Sequence, residues 1–280
     1  MKNIMTNRLR MAGSMALAAL ALLVSSCDDV KESDRLIDYP LPPASKTLLI
    51  MEFTGQNCSN CPSGAAQIHS LQEAYPGDVI AVCLHPEGVQ FTNIVGREDL
   101  GLRSKTATEI YRNYTPDSFP CAVFDGVKTD DSPYFLQWIQ ASQPFLEAET
   151  PVVLSVEATY DAERNINVHC KADFVRGEYQ RPLNIAVWIM ENGIVGPQMS
   201  TSGRLKNYVH NHVLRTSFNG AWGESLGTSF NLDDEKEYAT SLRNADETWK
   251  LENCQIVAFL VDPDSKYVLQ SAITDLEEQD

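Results

Sequence analysis

Cys58-Ser59-Asn60-Cys61 is the one closely spaced cysteine pair in the chain. Two cysteines at this spacing can close a disulfide, open it, and exchange it with a partner through a mixed disulfide. The pair stands between an apolar run, Thr47–Met51, and a segment with helical spacing, Pro62–Tyr75. A cysteine at a helix N-terminus meets free N–H groups and the positive end of the dipole, which favour the thiolate. This makes Cys58 the expected nucleophile and Cys61 the resolving thiol. Zinc ribbons also use CxxC, but they need a second ligand pair, and no second CxxC or HxxxH follows. No metal or separate cofactor is expected, the redox centre being the Cys58–Cys61 disulfide itself.

Three further residues can serve that chemistry. Glu52 interrupts an otherwise apolar strand six residues before Cys58. A carboxylate buried there could exchange a proton with the pair; an acid reaching solvent from the strand end is the alternative. His85 ends the next apolar run, and active groups in open α/β sheets gather at the carboxyl ends of strands. A loop histidine without a role is the competing reading. Pro120 follows Ser118-Phe119 and precedes a third short strand, Cys121–Phe124.

The elements needed to position these groups are legible from 46 to about 149. Thr47–Met51 and Val79–Leu84 are continuous apolar runs of the kind buried on both faces. Ile68, Leu71 and Tyr75 share one helical face, Pro62 suits a first-turn position, and Pro76-Gly77 stops the helix. A helix around Thr106–Tyr114 and a closing one marked by Tyr134, Phe135, Trp138 and Ile139 follow. Strand–helix–strand in this order predicts parallel pairing. From Pro151 the pattern changes to strands alone: Val152–Tyr160 and Ile166–Phe174 as a hairpin, then Leu183–Met190, Tyr208–Arg215, Glu237–Leu242, Gln255–Val261 and Tyr267–Ile273. About seven short strands suggest an immunoglobulin-like β-sandwich over 150–280. The expected class is therefore α/β plus all-β, with two halves separable near residue 150.

His210 and His212 alternate along one of those strands and could share a metal, although no third ligand is in view; hydrogen-bonded structural histidines are the other reading. Cys170 and Cys254 fall in apolar strand patterns, where they could pair between sheets or stay as buried thiols. Cys83 and Cys121 should flank the strand that carries Glu52 and are not expected to bond to each other.

The front end reads as a targeting segment. Lys2, Arg8 and Arg10 precede an acid-free apolar run, Met11–Val24, which is short for a membrane span. Val24-Ser25-Ser26-Cys27 resembles a bacterial lipobox, which implies cleavage of residues 1–26 and lipid on Cys27. Removal of that segment would carry the formal charge from −16 toward −19, because it takes three positive residues and no acids. Residues 27–45, with Asp28, Asp29, Glu32 and three prolines, read as a lipidated tether. Cysteines of an exported chain can persist as disulfides. The acidic balance and the absence of a basic patch make nucleic acid a poor partner.

Residues 46–140 resemble the thioredoxin fold: acid-Phe at Glu52-Phe53, four residues, CxxC-Pro, a strand, then a proline before the next strand. That resemblance implies a cis Pro120 facing the CxxC and shaping the partner groove, with Glu52 as proton acceptor. The loop differs in carrying Gly55-Gln56-Asn57 where an aromatic normally precedes the first cysteine. The whole chain is similar to the twenty-eight-kilodalton outer-membrane-protein family of Bacteroidota lipoproteins. Glu52-Phe53-Thr54-Gly55, Asn57-Cys58-x-Asn60-Cys61-Pro62 and His85 carry the likeness in front. Glu191-Asn192-Gly193-Ile194-Val195-Gly196-Pro197-Gln198 and Tyr208-Val209-His210-Asn211-His212-Val213-Leu214-Arg215 carry it behind. The resemblance implies a lipid-anchored outer-membrane protein, on the periplasmic face or the cell surface. Two functions stand open: thiol–disulfide exchange on envelope proteins, and a non-catalytic binding lipoprotein whose CxxC disulfide only stiffens a loop.

Overall fold

The computed structural model describes residues 44–128 and 135–279. The signal segment, Cys27, nearly all of the tether and Tyr134 lie outside the described residues. In chain order the elements are β1 (Ala44–Ser45), β2 (Leu48–Phe53), α1 (Cys61–Ala74), β3 (Val79–Leu84), α2 (Lys105–Tyr114), β4 (Cys121–Phe124), α3 (Trp138–Leu146) and β5 (Glu149–Thr150). There follow β6 (Val152–Tyr160), β7 (Ile166–Phe174), β8 (Leu183–Glu191), β9 (Ile194–Ser200), β10 (Gly203–His210) and β11 (Val213–Ser217). The chain ends with β12 (Glu224–Gly227), β13 (Glu235–Leu242), β14 (Cys254–Val261), β15 (Val268–Asp275) and β16 (Glu277–Glu278). The fold is β-rich, with mixed sheets and few helices.

β2 and β3 pair in parallel, with Glu52 opposite Cys83, and β4 pairs antiparallel on the other edge of β2. β2 therefore runs between the strands of Cys83 and Cys121, as expected. Side chains alternate across a sheet, so Leu48, Ile50 and Glu52 share one face with Val79, Ala81 and Cys83. The apolar members of that set pack against Ile68 and Leu71 of α1 and Trp138 of α3. The opposite face, with Leu49, Met51 and Phe53, packs on Ala107, Ile110 and Tyr114 of α2. Ser104 caps α2 by accepting from the Ala107 N–H at 3.1 Å.

The strands expected to form a self-contained sandwich are shared between two sheets. β6, β7, β13 and β16 form a four-stranded sheet. β8, β11, β14 and β15 instead join β2, β3 and β4 in one larger sheet, ordered β15-β14-β8-β11-β3-β2-β4. The junction is the parallel bridge Val213 to Cys83, where the Cys83 N–H donates to the His212 carbonyl at 2.7 Å. β8 is buried on both faces. Ile185, Val187 and Ile189 meet the four-stranded sheet. Ala186, Trp188 and Met190 belong to the core shared with β2 and α2. The boundary expected at 149/150 thus marks where α-helices stop, not where the sheet stops. By their contacts the described residues form one compact unit.

Two buried ion pairs lock the long-range contacts. Lys46 Nζ lies 3.1 Å from Asp125 and donates to the Val268 carbonyl at 2.6 Å. Arg215 donates to Glu191 Oε2 at 2.8 Å and, from its other amino group, to the Gly101 carbonyl at 2.7 Å. The segment Tyr208–Arg215 is not one strand. β10 ends at His210, and His212 adopts a left-handed φ of 57° before β11 begins. His210 and His212 consequently do not sit on a common strand face. Cys83, Cys170 and Cys254 are free, buried thiols, so the inter-sheet Cys170–Cys254 bond does not form. Burial pushes the Cys170 and Cys254 thiols up to about 12.

Candidate functional site: a covered disulfide above a buried acid

Cys58 and Cys61 are joined by a disulfide, with Cα atoms 5.4 Å apart. The loop before them is held from one side by residues 89–92. The Asn57 N–H donates to the Phe91 carbonyl at 2.8 Å, and a Cβ on Gly55 would meet that carbonyl oxygen at 2.2 Å. Only glycine fits there. α1 begins at Cys61, with Asn60 as its N-cap. Cys58 stands in the turn just ahead of the helix, and its sulfur, bonded to that of Cys61, lies at the N-terminal end of the dipole.

Glu52 is fully buried beneath the pair. Its Oε2 accepts from Cys83 Sγ at 3.3 Å, and its Oε1 has no hydrogen-bond partner among the described residues. Burial raises its carboxyl to about 8, against the lowering effect of the Cys83 hydrogen bond. Burial also drives the Cys83 thiol well above its ordinary value, and the adjoining carboxylate adds to this. Gly64 of α1 is the second position where a side chain would not fit. A Cβ there would lie 2.9 Å from Pro120 and 3.0 Å from Glu52 Oε1. Phe119–Pro120 is a cis peptide bond, so the expected cis-proline loop is present and lies against the helix that starts with Cys61.

A cavity of about 120 Å³ adjoins the pair, lined by Glu52, Cys61, Cys83, His85, Tyr208 and His210 among others. His85 is thus brought to the site. It is lowered to about 3 by burial and, secondarily, by the neighbouring His210. Their rings cross edge-on with centroids 6.4 Å apart. Burial lowers His210 to about 4. Neither His85 Nδ1 nor His210 Nε2 has a hydrogen-bond partner among the described residues. All of these groups are uncharged at neutral pH, as a low-dielectric pocket requires. Among the described residues, no group of three or more His, Cys, Asp or Glu is placed to hold a metal ion.

The roof of the site comes from the second half of the chain. β9 and β10 form a separate antiparallel hairpin laid over the CxxC loop. The Gln198 amide donates to the carbonyls of Gly55 at 3.1 Å and Cys58 at 3.0 Å. The Met199 N–H donates to the Gln56 carbonyl at 2.8 Å, and the Gln56 amide donates to the Pro197 carbonyl at 2.8 Å. The Gln56 side chain thereby addresses the hairpin, while Asn57, directly before Cys58, donates to the carbonyls of Gln90 and Phe91. Each cysteine is only 2% exposed. Sequence reasoning did not place Gln198, Tyr208 or His210 at the disulfide. The runs containing them were visible as signatures, but nothing local says that they return to a loop some 140 residues earlier.

The sequence profile of the family described as outer membrane protein Omp28 matches residues 107–279. Among solved structures, HBP35 of Porphyromonas gingivalis is similar at 14% identity, over 83% of this chain and 76% of that one, with a TM-score of 0.64. A domain of the outer membrane lipoprotein Omp28 from Porphyromonas gingivalis is similar at 20% identity over 47% of this chain and 92% of that one, with a TM-score of 0.34. A protein of Agrobacterium tumefaciens is similar at 16% identity over 82% and 94% of the two chains, with a TM-score of 0.47. No curated protein matches the chain. Among the described residues no helix is long and apolar enough to cross a membrane. The family profile spans well over half of the sequence, and the chain belongs to the Omp28 family of outer membrane proteins.

Proposed function

We propose that this chain is a lipid-anchored envelope protein, held to the outer membrane through Cys27, that exchanges disulfides with other envelope proteins through a thioredoxin-like CxxC centre. The observation that carries the reading is Glu52. A disulfide that only stiffens a loop has no use for a buried, half-unpartnered carboxyl group, which costs stability at neutral pH. A carboxyl near 8 adjoining the same cavity as Cys61 is matched to proton transfer at a thiol.

In the oxidising direction a client thiolate attacks Cys58 Sγ. The Cys58–Cys61 bond breaks, a client–Cys58 bond forms, and Cys61 leaves as a thiolate that takes the proton from Glu52. A second client thiolate then displaces Cys58, leaving a client disulfide and a reduced pair. Two electrons pass from client to protein, and the reverse sequence reduces a client disulfide. Pro120 shapes the floor beside the pair, and His85 lines the cavity.

The second reading, a structural disulfide in a binding lipoprotein, is favoured by the 2% exposure of both cysteines. The reduction potential separates the two. A value near about −270 mV supports exchange, whereas one below about −300 mV supports a structural bond. Cys61→Ser should also trap clients through Cys58 in envelope extracts. A deeply reducing potential together with an empty trap would overturn the exchange reading.

A further inference from the structure

The hairpin over the disulfide has the geometry of a bound strand. Along β9 residues alternate, with Gln198 buried against the loop, Gly196 buried against Leu100 and Val195 turned outward. The contacts it makes with the CxxC loop address backbone groups: Met199 N–H to Gln56 C=O, the Gln56 amide to Pro197 C=O, and the Gln198 amide to Gly55 and Cys58 C=O. Two of these four contacts use backbone groups of β9, Met199 N–H and Pro197 C=O, which any extended polypeptide can supply, as in strand addition; the other two use the Gln198 side chain.

The element making these contacts is separate from the two large sheets: β9 and β10 pair only with each other. A lone two-stranded hairpin is marginally stable in water, so its tertiary contacts hold it down. Its two ends carry the backbone conformations of a hinge. Gly193, before β9, has φ 75°, and His212, after β10, has φ 57°. Asn192 and Asn211 clasp the base, through the His212 N–H at 2.8 Å and the Gly193 N–H at 2.9 Å. A lifting hairpin would turn about this base, which adjoins β8 on one side and β11 on the other.

We propose that Pro197–Met199 is a built-in occupant of a strand-pairing site on the CxxC loop, displaced when an extended segment of a client polypeptide pairs there and so reaches the disulfide. This rests on the exchange reading above and supplies its client class: unfolded or locally extended protein chains, which supply the backbone groups that Pro197 and Met199 supply here. It also explains how a pair with 2% exposure can react.

The test uses the full chain and two variants. Gln198→Ala removes the clasp on Gly55 and Cys58. Gln198→Glu keeps the shape but sets a carboxylate against two carbonyl oxygens. Reduction of Cys58–Cys61 by dithiothreitol should accelerate about tenfold or more in both, since a few net hydrogen bonds are lost. Reduced, carboxymethylated lactalbumin, an extended chain without thiols, should bind both variants at least tenfold more tightly than wild type. Equal reduction rates in all three chains would overturn the proposal. Faster reduction with unchanged lactalbumin binding would also overturn it, because the hairpin would then be a steric cover and not an occupant. Amide hydrogen exchange of wild type provides a measurement that no variant can spoil. The Met199 N–H should exchange by local opening, faster than the amides of β8; protection equal to that of β8 would mean that the hairpin never lifts. Fast opening and tight lactalbumin binding combined with a potential below about −300 mV would leave the site standing and remove the exchange reading alone.

Discussion

Glu52→Gln should change the pH dependence of stability in a way that isolates the buried acid. Glutamine keeps the shape of the side chain, and its amide oxygen can still accept from Cys83. In wild type the folded carboxyl holds its proton up to about 8, whereas the reference value is 4.5. The folded state therefore binds more protons across that window, so stability falls as pH rises through it. At about 1.36 kcal/mol per unit, integration from about pH 5 to about pH 8.5 gives a loss of about 4 kcal/mol in wild type. The variant has no such group. Asp125 and the histidines titrate in both chains and cancel in the difference. Urea midpoints at four pH values across this window, with the denaturant slope checked for constancy, measure it. Wild type should be nearly as stable as the variant at the acid end and well below it at the alkaline end. Parallel curves would show that Glu52 ionises normally, and with that the proton-transfer role falls.

Four shorter expectations accompany it. Cys27→Ser should release the protein from the membrane fraction, and unchanged fractionation would count against lipid on Cys27. Arg215→Leu leaves Glu191 buried without its partner, which should cost about 3–5 kcal/mol and lower Tm by roughly 10 °C, read by calorimetry. His85 is held neutral down to about 3, so the unfolded chain gains its proton first as pH falls below the ordinary histidine value of 6.5. Wild type should consequently lose about 2 kcal/mol to this residue between about pH 7 and about pH 5, and His85→Asn should flatten that acid limb. A fragment of residues 46–149 should fail to fold cooperatively by circular dichroism, because β3 loses β11 and the core of β2 loses Trp188, Leu214 and Phe259.

Local pattern carried much of the fold. Val79–Leu84, Cys121–Phe124, Val152–Tyr160 and Ile166–Phe174 match their expected strands residue for residue, because each is an apolar or alternating run closed by turn residues. β9 escaped notice for a physical reason. Gly196 and Pro197 argue against a strand inside a sheet, and they are tolerated here because β9 pairs on one edge only. The break at Asn211-His212 was hidden by apolar residues on both sides of it. Glu52, Cys58, Cys61 and His85 were legible because they follow one another along a single strand–helix–strand unit, and Pro120 through the likeness to the thioredoxin fold. Gln198 and Tyr208 were not, since a polar roof over a loop leaves no periodic trace in the segment that supplies it.

The joining of the two halves at β3 bears on the site more than their separate identities do. Side-chain period places Cys83 in line with Val79 and Ala81, and parallel pairing sets Cys83 beside Glu52. A slip of one residue would send Cys83 to the α2 face and strip Glu52 of its hydrogen bond. β3 is held against such a slip on both edges: by β2 on one side, and on the other by the bridge to Val213 and the hydrogen bond to His212. The residues that make the second bracket directly follow the hairpin, so the strand that aligns the acid and the strand that covers the disulfide belong to one continuous segment, 194–217. Forces that lift the hairpin are applied next to the bracket that holds Cys83 in register. Under the displacement proposed above, exposure of the disulfide and the protonation of Glu52 are expected to be coupled through that bracket. Reciprocity then requires protonation of Glu52 to alter the ease of lifting by the factor by which lifting alters its proton affinity.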